Sequence, residues 1–593
     1  MSTWMRDTSV RPGAPRRVCG ALPSAPWTFG FGALRSPGKH ARSVSLVSPL
    51  LVILGWVGCA GTPAETAPTE VVRPSRMVLV LVDTLRRDRL GIYGHGRPTS
   101  PTLDHWAESG TVFTEARAPS PWTLPSARAL FGAGVVEAFD PADTVPVHLQ
   151  RAGWQTASLV ANPNLTAEFG FHAGWDAHHL DEGASAAAQV DRALTLLDAH
   201  AAGDAPPPLF LFLHLMDPHL PYDEGPAHQG LFAGEAPTPR TAGPLQEPAL
   251  KGANALRPLT PEELRYLGDR YDQNVHAVDA ALARLLPRLG PDDLVVVTSD
   301  HGEALGEHGE FGHGQGLTEE QVAIPLVVRG PGWSATRSPA PVGLDDVGAT
   351  LLAAAGVGSP AGASGRDLLT LLASPPEQPR PQRLSHTHYG PARVGVVQGT
   401  DKRVGTATEV RRFDLGLDPG EAAPRVGPWT PADRAAWVAA GGAPLRPVLS
   451  VRLSPLASHQ TSGAPGDIRG VMFSHPAGLA DIWWPPALLR AAAPRRELTP
   501  TGLGLVADGP FAMPAELWLA VSGEGPVAAA DLSITVSKAG AELTGAEVPG
   551  LVVAPGWAPP PMPHIPLGLP ADATVGALQR LGYLEGGAVE AGD

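Results

Sequence analysis

At 593 residues the chain is longer than one hydrophobic core usually supports, so a large domain with a smaller companion is expected. Its 43% hydrophobic and 17% charged residues are the balance of a globular protein, and a net charge of −15 excludes a polyanion-binding surface, so no nucleic-acid partner is expected. The only cysteines are Cys19 and Cys59, both ahead of the main body, which excludes a disulfide framework or thiol chemistry there.

In chain order, the basic residues Arg35, Lys39 and Arg42 precede SVSLVSPLLVILGWVG. This apolar run is short for a bilayer span and contains Pro49, so it reads as the core of a signal peptide. Val57-Gly58-Cys59 resembles a bacterial lipobox and makes Cys59 the candidate lipidation site. The sequence thus predicts export, either to the periplasmic face of a bacterial membrane as a lipid-anchored protein or by secretion. Residues 1–60 read as leader and 61–76, with TPAETAPTE, as a flexible tether.

Three apolar runs follow: MVLVLV at 77–82, LFLFLHLM at 209–216 and LVVVTSD at 294–300. Each has strand length and ends in polar residues, as buried strands of an α/β sheet do. The segment 271–289 has helical period, with Val275, Val278, Leu282, Leu285 and Leu286 on one face. Strands alternating with helices predict an α/β sheet covered on both sides, with ligands beyond the strands' carboxyl ends. The Gly/Pro-rich stretch 221–260 reads as a surface excursion of lid type. Alternating segments such as PAELWLAVSG and ADLSITVSK predict a small β-rich module over about 445–560.

The strand ends carry the chemistry. Asp83, Asp300 and His301 supply two carboxylates and an imidazole, a donor set that suits a divalent cation. A hydroxyl beside such a cation becomes a nucleophile at neutral pH. Thr123 precedes LPSARALF, which reads as a helix start, where free N–H groups favour an oxyanion. Metal, hydroxyl and anion cradle together describe ester cleavage at phosphorus or sulfur. Each residue also has a plainer reading. Asp83 and Thr123 are both suited to capping a helix, His214 to sitting satisfied in the core, Trp122 to packing, and Glu303 and Glu307 to solvent or to supporting the ligands.

VDTLRRDRLGIYG, PSPWTLPS, FLHLMDPHLPY, VVVTSDHGEALGEHGEFGHG, IPLVVRGPG and FDLGLDPGEAAP, in that order, resemble the sulfatase family of the alkaline-phosphatase superfamily over about 77–425. The resemblance implies an alkaline-phosphatase-like mixed, mostly parallel sheet flanked by helices, a catalytic domain over 77–440, and a β-rich extension over 441–593 closed by a terminal helix in ATVGALQRLGYLEGG. It implies Asp83, Asp300 and His301 as metal ligands and Thr123 as nucleophile and fourth ligand. His219 becomes a substrate contact that also protonates the leaving group, and His313 a group on the anion's oxygens.

The departures are chemical. Most sulfatases carry Cys or Ser where Thr123 stands, oxidised to formylglycine; a threonine cannot yield that aldehyde, so no formylglycine is expected. The arginine of the motif is Ala127 here, with Arg128 one place late, and the second aspartate of the usual pair is Thr84. With fewer carboxylates, Mn²⁺ or Zn²⁺ becomes favoured over Ca²⁺. The expected activity is hydrolysis of sulfate or phosphate esters of a small molecule, glycan or lipid. The alternatives are a phosphoglycerol- or phosphoethanolamine-type phosphotransferase and a non-catalytic binding lipoprotein.

Overall fold

A computed structural model of the protein describes residues 73–242, 250, 257–386, 393–442 and 445–453, with further strands between 468 and 558. Cys59, the leader, residues 61–72 of the tether and the segment 573–587 lie outside the described residues.

The main sheet is built from β1 (Arg76–Val82), β2 (Thr111–Arg117), β3 (Gln155–Val160), β4 (Ala177–Leu180), β5 (Leu209–Leu215), β6 (Asp293–Ser299), β7 (Leu326–Arg329) and β8 (Thr336–Gly343). Its order is β8-β2-β7-β6-β1-β5-β3-β4. Only β7 runs against its neighbours, so the sheet is mixed and mostly parallel. The central strand β1 is buried from Met77 to Val82, which explains its unbroken apolar run: both faces are covered. On one face lie Leu79, Leu81, Phe210, Phe212 and Val296 with helices α1 (Thr123–Gly132) and α4 (Leu344–Ala355). On the other lie Val78, Val80, Leu211 and Val295 with α2 (Ala186–Ala201) and α3 (Pro261–Leu285).

Helix α3 begins ten residues before the periodic segment at 271, because Thr260 and Glu263 form a reciprocal cap. The predicted apolar face at Val275, Val278, Leu282 and Leu285 is buried. A meander of five antiparallel strands follows the main sheet: Gln382–His386, Arg393–Gln398, Asp401–Gly405, Val410–Asp414 and Arg425–Gly427. Beyond it, four strands (among them Arg446–Leu453 and Glu516–Val521) and five strands (among them Ile468–Ser474 and Ser533–Lys538) form two antiparallel sheets. Among the described residues no helix is long and apolar enough to cross a membrane.

The described part of the excursion after β5, residues 221–242, runs largely at the surface, but it is anchored at several points. Tyr222, Glu224 and Ala233 are buried. Arg270 of α3 reaches the Tyr222 carbonyl and Glu224 Oε2, and Gln273 Oε1 accepts from the N–H groups of Phe232 and Ala233 at 3.0 and 2.8 Å. Polar side chains of α3 add to the packing of Tyr222 against Tyr271, and this polar grip is invisible in a hydrophobic pattern.

Candidate active site

Parallel register assembles the site. Val82 of β1 pairs with Ser299 of β6, so Asp83 and Asp300, each one residue farther on, emerge side by side at the carboxyl edge. The next residue, Thr84, turns with φ 55°, a left-handed conformation that costs a β-branched residue about 1–3 kcal/mol. Tyr271 holds that turn, donating its hydroxyl to the Thr84 carbonyl at 2.7 Å and accepting from Arg86 N–H at 2.9 Å. The turn aims Thr84 N–H at Asp300 Oδ1, 3.2 Å away.

Thr123 is the first residue of α1 and not its cap, a position held by Trp122. Its hydroxyl lies 3.2 Å from His301 Nε2. His301 donates Nδ1–H to the Gly302 carbonyl at 2.9 Å, which leaves Nε2 with a lone pair toward the cluster. That nitrogen is 3.4 Å from Asp300 Oδ2 and 3.7 Å from Asp83 Oδ1. All four residues are fully buried, and those two carboxylate oxygens have no hydrogen-bond partner. Two buried, unpaired anionic oxygens facing an imidazole lone pair demand a positive charge. Ligand atoms of Asp83, Asp300 and His301 all lie within 4.8 Å of one another, close enough to hold one metal ion. The donor set therefore fits a divalent cation.

Electrostatics agree with this crowding. Burial opposes ionisation of Asp83, but attraction to His214, His219 and His301 outweighs it and holds the carboxyl well below its usual range. For Asp300, burial and the charge of Asp83 act together and push the group up to about 6.

Behind the four lie residues that the sequence reading misplaced or missed. His214 is no satisfied core histidine: it is fully buried, its Nε2 is 3.3 Å from Asp83 Oδ2 without hydrogen-bond geometry, and neither ring nitrogen has a hydrogen-bond partner. Pairing of His214 with Leu81 in the sheet carries it to that level. Glu303 is not solvated but fully buried, pushed up to about 7 by burial against the opposing pull of His219 and His301. It meets His313 Nδ1 at 3.3 Å and the Tyr222 hydroxyl at 3.4 Å. The His313 ring lies 4.5 Å from that of His301 and 4.9 Å from that of His219, so the structure brings all three imidazoles together. Within its own loop His219 Nδ1 meets the Leu220 carbonyl. His308 stands apart, near Glu320. Arg128 is buried over the Phe139 ring, 5.7 Å away.

Asn162 was absent from the sequence reading altogether. It follows β3, fully buried, and donates Nδ2–H to Asp83 Oδ2 at 2.8 Å and to Thr123 Oγ1 at 3.4 Å. The only signal was its place just past an apolar strand, in VANPN, where the turn chemistry of Asn-Pro masks any other role.

The sulfatase family profile matches residues 75–357, the span that builds this edge. Residues 75–357 are a sulfatase-family domain. Arylsulfatase K of Mus musculus is 34% identical over 28% of this chain and 34% of its own length. Phosphoethanolamine transferase EptC of Escherichia coli is 23% identical over 51% of this chain and 52% of its own. This chain thus matches about a third to a half of the length of these relatives. A solved phosphonate monoester hydrolase of Agrobacterium radiobacter aligns with a TM-score of 0.48 at 18% identity, over 59% of this chain and 91% of its own.

Proposed function

We propose that the sulfatase domain is a metal-dependent hydrolase of sulfate or phosphate esters in which Thr123 is the nucleophile. The observation that carries this reading is the 3.2 Å contact between Thr123 Oγ1 and His301 Nε2, beside two carboxylate oxygens that have no hydrogen-bond partner. Asp83, Asp300 and His301 would hold the ion, with the Thr123 hydroxyl as fourth donor. A bound divalent cation supplies Lewis acidity, which acidifies a neighbouring hydroxyl and withdraws charge from the ester oxygens.

The chain's own residues divide the remaining work. Asn162 and His301 fix the Thr123 rotamer from two sides. Placement at the first turn of α1 sets that hydroxyl beside backbone N–H groups with positive potential; Pro125, in the third position, contributes no N–H. Oγ1 gives up its proton to solvent and attacks phosphorus or sulfur, which forms a threonyl ester and breaks the bond to the leaving oxygen. His219 is proposed to protonate that oxygen; its ring lies 4.9 Å from that of His313, beside the cluster. His313 contacts the anion's remaining oxygens. Water then attacks the phosphorus or sulfur of the threonyl ester and returns the hydroxyl to Thr123.

One observation favours a second reading, transfer to an acceptor alcohol: the similarity to a phosphoethanolamine transferase spans half of this chain. Paired aryl sulfate and aryl phosphodiester assays of wild type and Thr123→Ala test the first reading. Turnover that survives in Thr123→Ala sinks it, and product that appears only with an added alcohol moves the assignment to the transferase. Export with lipidation at Cys59 is part of the proposal and is checked by palmitate labelling of wild type against Cys59→Ser.

A further inference from the structure

Each site carboxylate keeps one oxygen for a ligand and surrenders the other to the chain. Asp300 Oδ1 accepts from Thr84 N–H at 3.2 Å and His301 N–H at 2.9 Å, leaving Oδ2. Asp83 Oδ2 accepts from Asn162 Nδ2–H at 2.8 Å, with His214 Nε2 at 3.3 Å on the same oxygen, leaving Oδ1. The Asn162 amide cannot turn over without loss. Its Oδ1 accepts from Asn164 N–H at 2.9 Å and caps the short helical turn Pro163–Leu165, so Nδ2 must face the site.

We infer, on the metal-site reading above, that Asn162 is a positioning residue that makes the centre selective for a small four-coordinate ion such as Zn²⁺ over Ca²⁺. Ca²⁺ takes about 6–8 oxygens and favours bidentate carboxylates, whereas Zn²⁺ accepts about four donors, nitrogen among them. With both carboxylates held one-handed, the cluster presents two oxygens, one imidazole nitrogen and one hydroxyl. From His301 Nε2 the other three donors lie 3.2, 3.4 and 3.7 Å away, near the edge of about 3.3 Å expected between donors around tetrahedral zinc. Capping alone does not account for this asparagine. Ser or Asp caps a helix as well as Asn does, but neither offers two N–H donors to an aspartate and a threonine.

That difference supplies the test. Asn162→Ser keeps the cap and removes both donors, leaving Asp83 Oδ2 with only the looser His214 contact. Chelator-stripped full-length protein is titrated with Zn²⁺ and with Ca²⁺ in a calorimeter. Wild type is expected to take one Zn²⁺ per chain and to bind Ca²⁺ far more weakly. In Asn162→Ser the ratio of the two affinities falls by about 10–100-fold, the usual effect of losing a partner behind a ligand. If the serine variant does not fold, Asn162→Asp, which caps and adds an oxygen donor, reads the same ratio and moves it the same way. A wild type that binds one ion, with a ratio unchanged in the variant, overturns the role of Asn162. A wild type that binds neither ion overturns the metal-site reading itself.

Discussion

Two buried polar clusters in this protein have opposite accounts of their charges. At the sheet edge, Asp83 Oδ1 and Asp300 Oδ2 are buried without hydrogen-bond partners. Between the main sheet and the meander, Arg117, Glu319, Lys402 and Glu421 are also buried or nearly so, but they answer one another. Arg117 Nη2 meets Glu319 Oε2 at 2.8 Å, and Lys402 Nζ lies 2.9 Å from Glu319 and 2.9 Å from Glu421. Glu421 Oε2 also accepts from Glu319 N–H at 2.6 Å. The second contact of Lys402 is an ion pair off hydrogen-bond geometry. A closed cluster holds strands together, whereas an open one stores unfavourable charge that only a ligand relieves.

The comparison can be broken in descending order of effect. Thr123→Ala should cut turnover by on the order of 10³–10⁶-fold, the range seen when a nucleophile is lost. Its thermal melt should match wild type, which separates loss of chemistry from loss of fold. Lys402→Met should do the reverse, leaving Glu421 buried without its cation and Glu319 with arginine partners alone. A loss of about 3–5 kcal/mol in denaturant unfolding is expected, with kcat unchanged in the surviving folded fraction.

Asp300→Asn sharpens the contrast from the other side. In metal-free protein it removes a buried, uncompensated charge and should raise the melting temperature by a few degrees, but it should abolish the further rise that Zn²⁺ gives wild type. A variant that melts lower without metal would show the edge to be closed like the clamp. The smallest effect is in pH. Burial alone would raise Glu319, but Lys402 and Arg117 outweigh it and hold its carboxyl far below the usual range. A folded-state value below the unfolded one means that its stability is present above about pH 4.3 and drains away as pH falls toward the lower folded value. Melting temperatures between pH 5 and 2 should fall less steeply in Lys402→Met than in wild type.

The strands and the helix over 271–285 were legible because burial writes itself as hydrophobic period, and Asp83, Asp300 and His301 because charged residues abruptly end buried strands. The grip on the 221–242 excursion was not, since Arg270 and Gln273 lie within a helix whose apolar face attracts the eye. Glu303 was left open between solvent and support and His214 was misread for a related reason: a glutamate resembles surface and a histidine inside an apolar strand resembles core until their neighbours are known.

By itself, then, the sequence determined which residue types stand at the ends of the β1 and β6 strands, that no thiol is available in the body of the chain, and that a hydroxyl opens the α1 helix. Only the tertiary structure decided which oxygen of each carboxylate remains free, and that Asn162 and His214 stand behind Asp83. The reason is physical: composition and period fix what a segment buries, while hydrogen-bond partners come from strand register and turn geometry between residues 79 and 216 positions apart.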